Sequence, residues 1–585
     1  MSTRNPTVNE LERCWKSVRA RLISRSRMLQ AHRDERKTAK PCEVCEAHKS
    51  SVLDDVGIDD SSAFAVIVGG GPHALAALSA LHERHTGVEV CIIDAGDHFM
   101  QAWNTRFDGL EIDMLRSPAF AHPAAFDPPA LVNFAVAEGR TSELIKTPIA
   151  DGNWLPTTDL GASPLLKALP SQALFKDFCA SLAAKLPHRW LSGTAERVCK
   201  DMSTGKFRVH YKSKADQRER KVIAHAVILA TGPVGKWNVP APFELHLSAR
   251  SQLIIHTEGL LAEGTGCSLT EQIAKRCQGE SSRVLVIGGG LSAAQSALAA
   301  FRAGHQVVLR SRKPLQTRDF DTEATWLDVR TAAPLRFEFL CLPMKDRIGA
   351  IRKATPSGSV PAAYMEQLLR FSQASTALHA ALTLEVDADI DKSQVCIDPS
   401  GKHILVNGEP FAMIILATGV VTVPTCTPLY RSVEEIFGAQ TVNGLPRVDS
   451  RLRWVPTENL FVLGANAVLE LGPGGRNLMG AMRGARIVSN ELQGLIRKQY
   501  DCLKADSGPS VFKNLYASLG DRLRFGDGGD AEMDVLAQLL HLSPKAETAI
   551  RSARNGGKAA VKLKGERTPL AYLHVSARQR RATYW

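Results

Sequence analysis

Two glycine-rich turns, each set between a β-branched strand and an Ala/Leu-rich helix, are the segments of this chain best suited to chemistry. The first, at residues 64–81, reads FAVIVGGGPHALAALSAL, and the strand VEVCIID after it ends on Asp94. The second, at residues 283–300, reads RVLVIGGGLSAAQSALAA, and QVVLRSRK after it carries Arg310 and Arg312. In the first turn Gly69 permits a tight bend, Gly71 lets backbone approach a pyrophosphate, Pro72 opens the helix, and Ala74 allows helix and strand to pack closely. The helix N-terminus then offers free N–H groups and a positive dipole end to phosphate. Asp94, at the strand end, is placed to accept from a ribose hydroxyl. Gly288, Gly290 and Ala293 repeat the pattern, and Ser292 either donates to a phosphate or caps the helix. Arg310 stands where an acid would select NAD, with Arg312 and Lys313 close behind, and guanidinium groups grip phosphate bidentately. Solvated surface charge is the alternative for these arginines. The pair is read as FAD first and NADPH second, so electrons are expected to pass from NADPH to the flavin.

Three further segments belong with the turns. VILATG and IILATG end two β-runs, and Thr231-Gly232 and Thr418-Gly419 would bend the chain beside a bound nucleotide. Near the C-terminal end, NLFVLGAN carries Gly464 and Asn466, and LGPGGRNLMGA carries Gly474, Gly475 and Asn477. There the two glycines would permit close backbone approach. Asn477 and the amides after it would donate to the flavin pyrimidine carbonyl, and a helix N-terminus at that place stabilises reduced flavin.

The elements that must position these residues form an α/β fold: two Rossmann-like dinucleotide-binding domains, the second inserted in the first, with extra helical lobes. The FAD-binding domain is expected over 63–245 and 440–495, and the NADPH-binding domain over 246–439 with an insert at about 319–376. Basic extensions cover 1–62 and 496–585.

Of 585 residues, 44% are hydrophobic and 23% charged, ordinary values for a globular protein. The formal charge of +12 suits phosphate-rich ligands, but much of it lies in the terminal extensions, and no nucleic-acid motif accompanies it. No apolar run approaches the roughly 18 residues of a spanning helix. The twelve cysteines show no framework spacing, which suits a reducing compartment. A cytoplasmic protein is expected, with organellar import by the Arg-rich N-terminus as the alternative. Cys42, Cys45 and His48 lack a second pair to complete a tetrahedral site, so no metal is expected. No motif assigns a catalytic acid, base or nucleophile.

Together these segments resemble the two-dinucleotide-binding flavoproteins, in particular the class B flavin-dependent monooxygenases. Their order is most similar to the lysine/ornithine N-hydroxylase-like branch. The resemblance spans about 64–492 and is carried by GGGPHALAAL, Trp103 after the Asp94 strand, GGGLSAAQ, and LATG at 416–419. It implies that NADPH reduces FAD and that O₂ adds at the flavin C4a carbon. It also implies that bound NADP⁺ shields the hydroperoxide until a small amine-type nucleophile is hydroxylated. The chain departs from the family pattern in several places. Asn466 replaces an acid that often reaches the ribityl chain. Val420 stands where the N-hydroxylases carry tyrosine. Of the flavin-monooxygenase fingerprint, Arg250 and Gln252 replace the aromatic residue and the glycine, leaving only His256. Arg116, near a loop that touches flavin and substrate in the family, is read either as an anchor for a substrate carboxylate or as an exposed arginine without a role. Alternative functions are a flavin-bound regulatory protein and an NADPH oxidase without oxygen transfer. Disulfide reduction is disfavoured, because the only Cys-x-x-Cys, Cys42–Cys45, precedes both domains.

Overall fold

A computed structural model describes residues 61–146, 168–233, 235–247, 253–262, 268–277, 282–327, 329–355, 358–373 and 381–501, and the strands Lys558–Lys562 and Tyr572–Ser576. Cys42, Cys45, His48, Arg250, Gln252 and most of both extensions lie outside these residues. The chain divides into two compact units, residues 1–157 with 169–491, and 158–168 with 492–585. In the second unit the two C-terminal strands pair antiparallel. Both glycine-rich turns lie in the first.

The strand Ser61–Val68 is buried on both faces, with Phe64, Ala65, Val66 and Ile67 wholly enclosed, as a central parallel strand requires. Parallel neighbours complete the sheet in the order Arg189–Lys200, Val90–Asp94, Ser61–Val68, Glu219–Leu229, Leu460–Val462. The two longest strands run past this layer and pair antiparallel with Phe207–Ser213. Arg189–Lys200 changes partners at Gly193, where a Cβ would sit 2.4 Å from the Lys212 carbonyl oxygen. Small residues set the spacing of the helices over this sheet. Ala76 and Ala80 of helix Pro72–Arg84 meet Ala481 and Ala485 of helix Leu478–Asp501 in one buried cluster.

A second parallel sheet is nested in the chain between these strands, in the order Leu382–Glu385, Gln306–Arg310, Arg283–Ile287, Met413–Leu416, Ile254–His256. Helix Leu291–Arg302 covers one face and carries helix Ala362–Gln373 against it, with Phe301 and Phe371 stacked at 4.7 Å. The other face buries Leu285, Ile287 and Ile414 against Ile404, Val406 and Phe411 of a small antiparallel sheet. Two more inserted helices, Val329–Cys341 and Arg347–Ala354, pack through Phe339 and Ile351 on Val468 and Leu469.

The chain leaves the first sheet through a short strand, Gly235–Trp237, and returns through Val420–Thr422. These two strands pair antiparallel, with Trp237 opposite Val420. A Cβ on Gly235 would lie 1.8 Å from the Val421 carbonyl oxygen, so only glycine fits this crossing.

Candidate dinucleotide-binding sites

In the first turn the three glycines do different work. Gly69 has φ +117°, and a Cβ on it would lie 2.3 Å from the Ala230 carbonyl oxygen. It is therefore glycine for conformation and for packing. Gly70 faces Asp94 and Trp190, whose atoms a Cβ would meet at 3.0 and 2.7 Å. Gly71, the N-cap of helix Pro72–Arg84, has ordinary extended backbone and nothing within 4 Å of a built Cβ. No side chain caps this helix. The turn is thus an open cradle at a bare helix N-terminus, which fits a pyrophosphate. Ala74 is wholly buried beneath it. Asp94 accepts the Gly96 N–H at 2.7 Å through Oδ1, and its other oxygen takes no bond among the described residues.

Several buried polar atoms around this turn lack partners, as the lining of a ligand site does. The Trp103 indole N–H is one. Its ring stacks on Phe107 at 4.6 Å along helix Gln101–Gly109. His73 is another. Its Nε2 faces the Arg476 carbonyl oxygen at 3.3 Å, its Nδ1 is orphaned, and burial pushes its pKa down to about 4. Gly464, at φ +71°, leaves room for that imidazole, 3.4 Å from where its Cβ would be. Asn466 is the third. Its Nδ2 donates to the Tyr430 hydroxyl at 2.7 Å and to the Gly232 carbonyl at 3.0 Å, which fixes the amide's orientation. Thr231 and Tyr430 share a hydrogen bond of 3.0 Å. The nitrogen of Asn466 is therefore committed to its own fold, and only its orphaned Oδ1 remains for a ligand. Neither His73 nor Tyr430 was singled out from the sequence. The only local signal was a histidine directly after the Gly-Pro of the turn.

The C-terminal glycine loop differs from expectation. Asn477 caps helix Leu478–Asp501, its Oδ1 accepting from Met479 N–H at 3.0 Å and Gly480 N–H at 3.4 Å. Those amides are spent on the cap, so they do not serve a flavin carbonyl, and the Leu478 amide is the one left. Gly474, at φ +81°, makes the bend. Gly475 approaches other backbone rather than a ligand: a Cβ on it would meet the Gly472 carbonyl at 2.9 Å, and one on Gly480 would meet Gly475 at 2.3 Å.

The second turn repeats the first. Gly288 has φ +151° and would press a Cβ to 2.4 Å from the Ala417 carbonyl oxygen, while Gly290 is open. Ser292 lies half-exposed in the first helical turn and does not cap it, and Ala293 is buried. The repetition also fixes a correspondence. Gly69 donates to the Ile93 carbonyl at 2.8 Å, and Gly288 to the Arg310 carbonyl at 3.1 Å. Gly70 faces Asp94, and Gly289 faces Ser311, whose Oγ a Cβ would meet at 2.6 Å. Ser311, not Arg310, therefore holds the place of the acid. Strand alternation turns Arg310 the other way, onto Glu385, with Nε to Oε2 at 2.6 Å. Arg312 is 62% exposed, its nearest acid Asp391 at 3.8 Å, and Lys313 is exposed beside it.

Between the sheets, Thr418 joins the first linker strand to the second sheet. Its hydroxyl donates to the Asn238 carbonyl, and Asn238 Nδ2 returns a bond to the Thr418 carbonyl at 3.1 Å. Gly419, at φ +77°, accepts from the Asn238 N–H at 2.9 Å. His256 lies 3.3 Å from the Thr418 hydroxyl and stacks on Trp237, with its pKa lowered by burial above all. Arg106, on the Trp103 helix, pairs bidentately with Glu258 at 2.5 Å, just after His256. Arg116 is neither a substrate anchor nor exposed. Its buried guanidinium donates to the carbonyls of Arg318, Asp319, Phe320 and Ser359 and to the Ser359 hydroxyl. It fastens the inserted segment to the first domain. Among the described residues no cluster suits a metal, and no helix is long and apolar enough to cross a membrane.

Residues 66–234 match a family described as FAD-NAD(P)-binding, and residues 156–327 match pyridine nucleotide-disulphide oxidoreductase. No curated protein matches the sequence. Among solved structures the chain is similar to the FAD-bound cadaverine monooxygenase of Erwinia amylovora. The TM-score is 0.55 at 18% identity, covering 75% of this chain and 95% of that one. It is similar as well to the ornithine hydroxylase of Pseudomonas aeruginosa, with TM-score 0.54 at 17% identity, over 74% and 99%. A third is an ornithine N-hydroxylase of Kutzneria sp. 744 with reduced FAD, NADP⁺ and L-ornithine, with TM-score 0.55 at 14% identity, again over 74% and 99%. Likeness at such identities establishes a shared fold.

Proposed function

Starting from a chain with the two-dinucleotide-binding flavoprotein fold, we propose an FAD-dependent oxidoreductase, reduced by NADPH, that hydroxylates a small amine-type nucleophile with O₂. One observation carries the assignment of cofactors. Two equivalent open turns differ where a ribose would lie, with a carboxylate at Asp94 in the first and a neutral hydroxyl at Ser311 in the second. Asp94 suits a free ribose hydroxyl. At Ser311 a 2′-phosphate meets no negative charge, and Arg312 and Lys313 follow at the exposed strand end.

FAD, when bound, supplies a two-electron acceptor for NADPH and a donor to oxygen. The chain's own part is to orient it. Gly71 and the bare helix N-terminus take the pyrophosphate, Asp94 the ribose, and the orphaned atoms of Trp103, His73 and Asn466 receive the remaining polar groups. Gly290 and the N-terminus of helix Leu291–Arg302 do the same for NADPH. The amine substrate is supported by the fold shared with N-hydroxylating neighbours. The disulfide reductase reading gains nothing from the match over 156–327, because every cysteine among the described residues is free and no two form a Cys-x-x-Cys.

Anaerobic mixing with NADPH tests the proposal directly. Flavin absorbance should bleach, and NADH should be much less effective. Unbleached flavin would remove the enzyme reading in favour of a regulatory flavoprotein. Bleaching followed in air by stoichiometric H₂O₂, whatever amine is offered, would leave an oxidase and refute hydroxylation.

A further inference from the structure

Arg336, half-buried, lies on the same stripe of helix Val329–Cys341 as the enclosed Ala332 and Phe339, four residues after the one and three before the other. That stripe faces Val468, Leu469 and Gly472. A guanidinium placed there ordinarily finds carbonyls or a carboxylate. Among the described residues Arg336 finds none, and its Nε is sealed from solvent without an acceptor. Burial lowers its pKa. Beside it stands Arg483, on helix Leu478–Asp501, which donates once, to the Leu471 carbonyl at 2.7 Å. Arg483 is pushed down to about 9, by burial first and then by the Arg336 charge, with Glu470 opposing.

The acid at hand is already engaged. Glu470 pairs with Arg347 at 2.9 Å, both nearly buried, and Arg347 also donates to the carbonyls of Leu340, Leu342 and Leu469. Two half-buried guanidinium groups with few protein acceptors thus stand near one loop, and of their nitrogens only Arg336 Nε is shut off from solvent without an acceptor. Like charges drawn partly out of water cost stability unless an anion completes them, and their open donors leave room for one. Neither arginine borders a phosphate cradle, since a Cβ on Gly71 or Gly290 would have nothing within 4 Å, and Arg483 is held at the Leu471 carbonyl.

We propose that Arg336 and Arg483 form a binding site for the oxyanion end, carboxylate or phosphate, of a small ligand held between the inserted helices and helix Leu478–Asp501. The site does not depend on hydroxylation chemistry, so its test is a binding measurement. The flavin-loaded protein is titrated calorimetrically with glutarate, with inorganic phosphate and with uncharged glutaramide. Glutarate or phosphate should bind and glutaramide should not. The stronger of the two anions identifies the source of the oxyanion. Arg336→Gln and Arg483→Gln should each weaken the anion about tenfold or more. Arg336→Lys should retain part of the affinity, and Arg312→Gln, in the nucleotide site, should leave it unchanged. Without anion, Arg336→Met should melt no lower than the parent, because no partner is lost. The proposal is overturned if neither anion binds, if Arg336→Gln binds as the parent does, or if Arg336→Met melts lower.

Discussion

Gly69 and Gly71 stand two residues apart and predict opposite outcomes for the same substitution. At Gly69, alanine must adopt φ +117° with its methyl 2.3 Å from the Ala230 carbonyl oxygen. Backbone strain costs about 1–3 kcal/mol, and overpacking against a strand end that cannot yield adds roughly 1–3 kcal/mol. Gly69→Ala should therefore destabilise the flavin-free protein by about 2–6 kcal/mol. At Gly71, φ is −83° and ψ −173°, with nothing within 4 Å. Alanine fits that backbone and should stabilise the flavin-free protein by about 0.4–1 kcal/mol through the unfolded chain. Its methyl, however, fills the cradle. An overpacking cost of about 1–3 kcal/mol falls on the ligand instead and weakens FAD roughly 5- to 150-fold. Urea unfolding of flavin-free protein, and flavin fluorescence titration of refolded protein, measure the two quantities separately. If Gly71→Ala unfolds as easily as Gly69→Ala, or binds FAD as the parent does, the open cradle is not the flavin site. Gly288→Ala and Gly290→Ala should repeat the contrast for NADPH.

Three other outcomes follow from particular side chains. Arg312→Gln should raise the KM for NADPH about 10- to 100-fold, the worth of a charge-assisted bond, and leave that for NADH unchanged in steady-state assays. Arg310→Gln should act mainly on stability, since the residue is nearly buried and its Nε is committed to Glu385. Arg116→Ala strands four carbonyls and should lower unfolding free energy by on the order of 3 kcal/mol or more in urea titrations. His73 and His122 are both held near pKa 4 by burial against an ordinary 6.5. The unfolded chain therefore binds more protons between those values. Their contribution is fully present above pH 6.5 and is lost as pH falls toward 4, by about 3 kcal/mol each. Urea midpoints at pH 7 and pH 5 should show the loss, and His122→Gln should flatten it.

What the sequence made legible was local. The glycine turns, the alternation of strand and helix, and the paired Ala-Thr-Gly ends are all written in contiguous residues with fixed spacing. Register was not. Whether Arg310 or Ser311 holds the acid's place depends on Ile287 pairing with Arg310, and a slip of one residue exchanges the two faces. Arg116 was misjudged for a different reason, since the carbonyls that bury it come some two hundred residues later. The amides after Asn477 were promised to a flavin because nothing in the sequence says that Asn477 turns back to cap its own helix. Arg336 had no local signal, because its isolation exists only once the inserted helices are folded down.

The paired crossing strands carry a consequence for engineering. Trp237 and Val420 sit directly opposite each other, which places their Cα atoms roughly 5 Å apart. Severing the chain at these two points would leave ends that a two-residue hairpin turn can rejoin. Residues 238–419, which carry the second glycine turn, are thus a cassette entered and left at one joint, and a donor module that begins and ends on adjacent antiparallel residues could be grafted there if it also covers Val468 and Leu469. The graft must bring its own acceptors for Arg116, whose carbonyl partners depart with the native cassette.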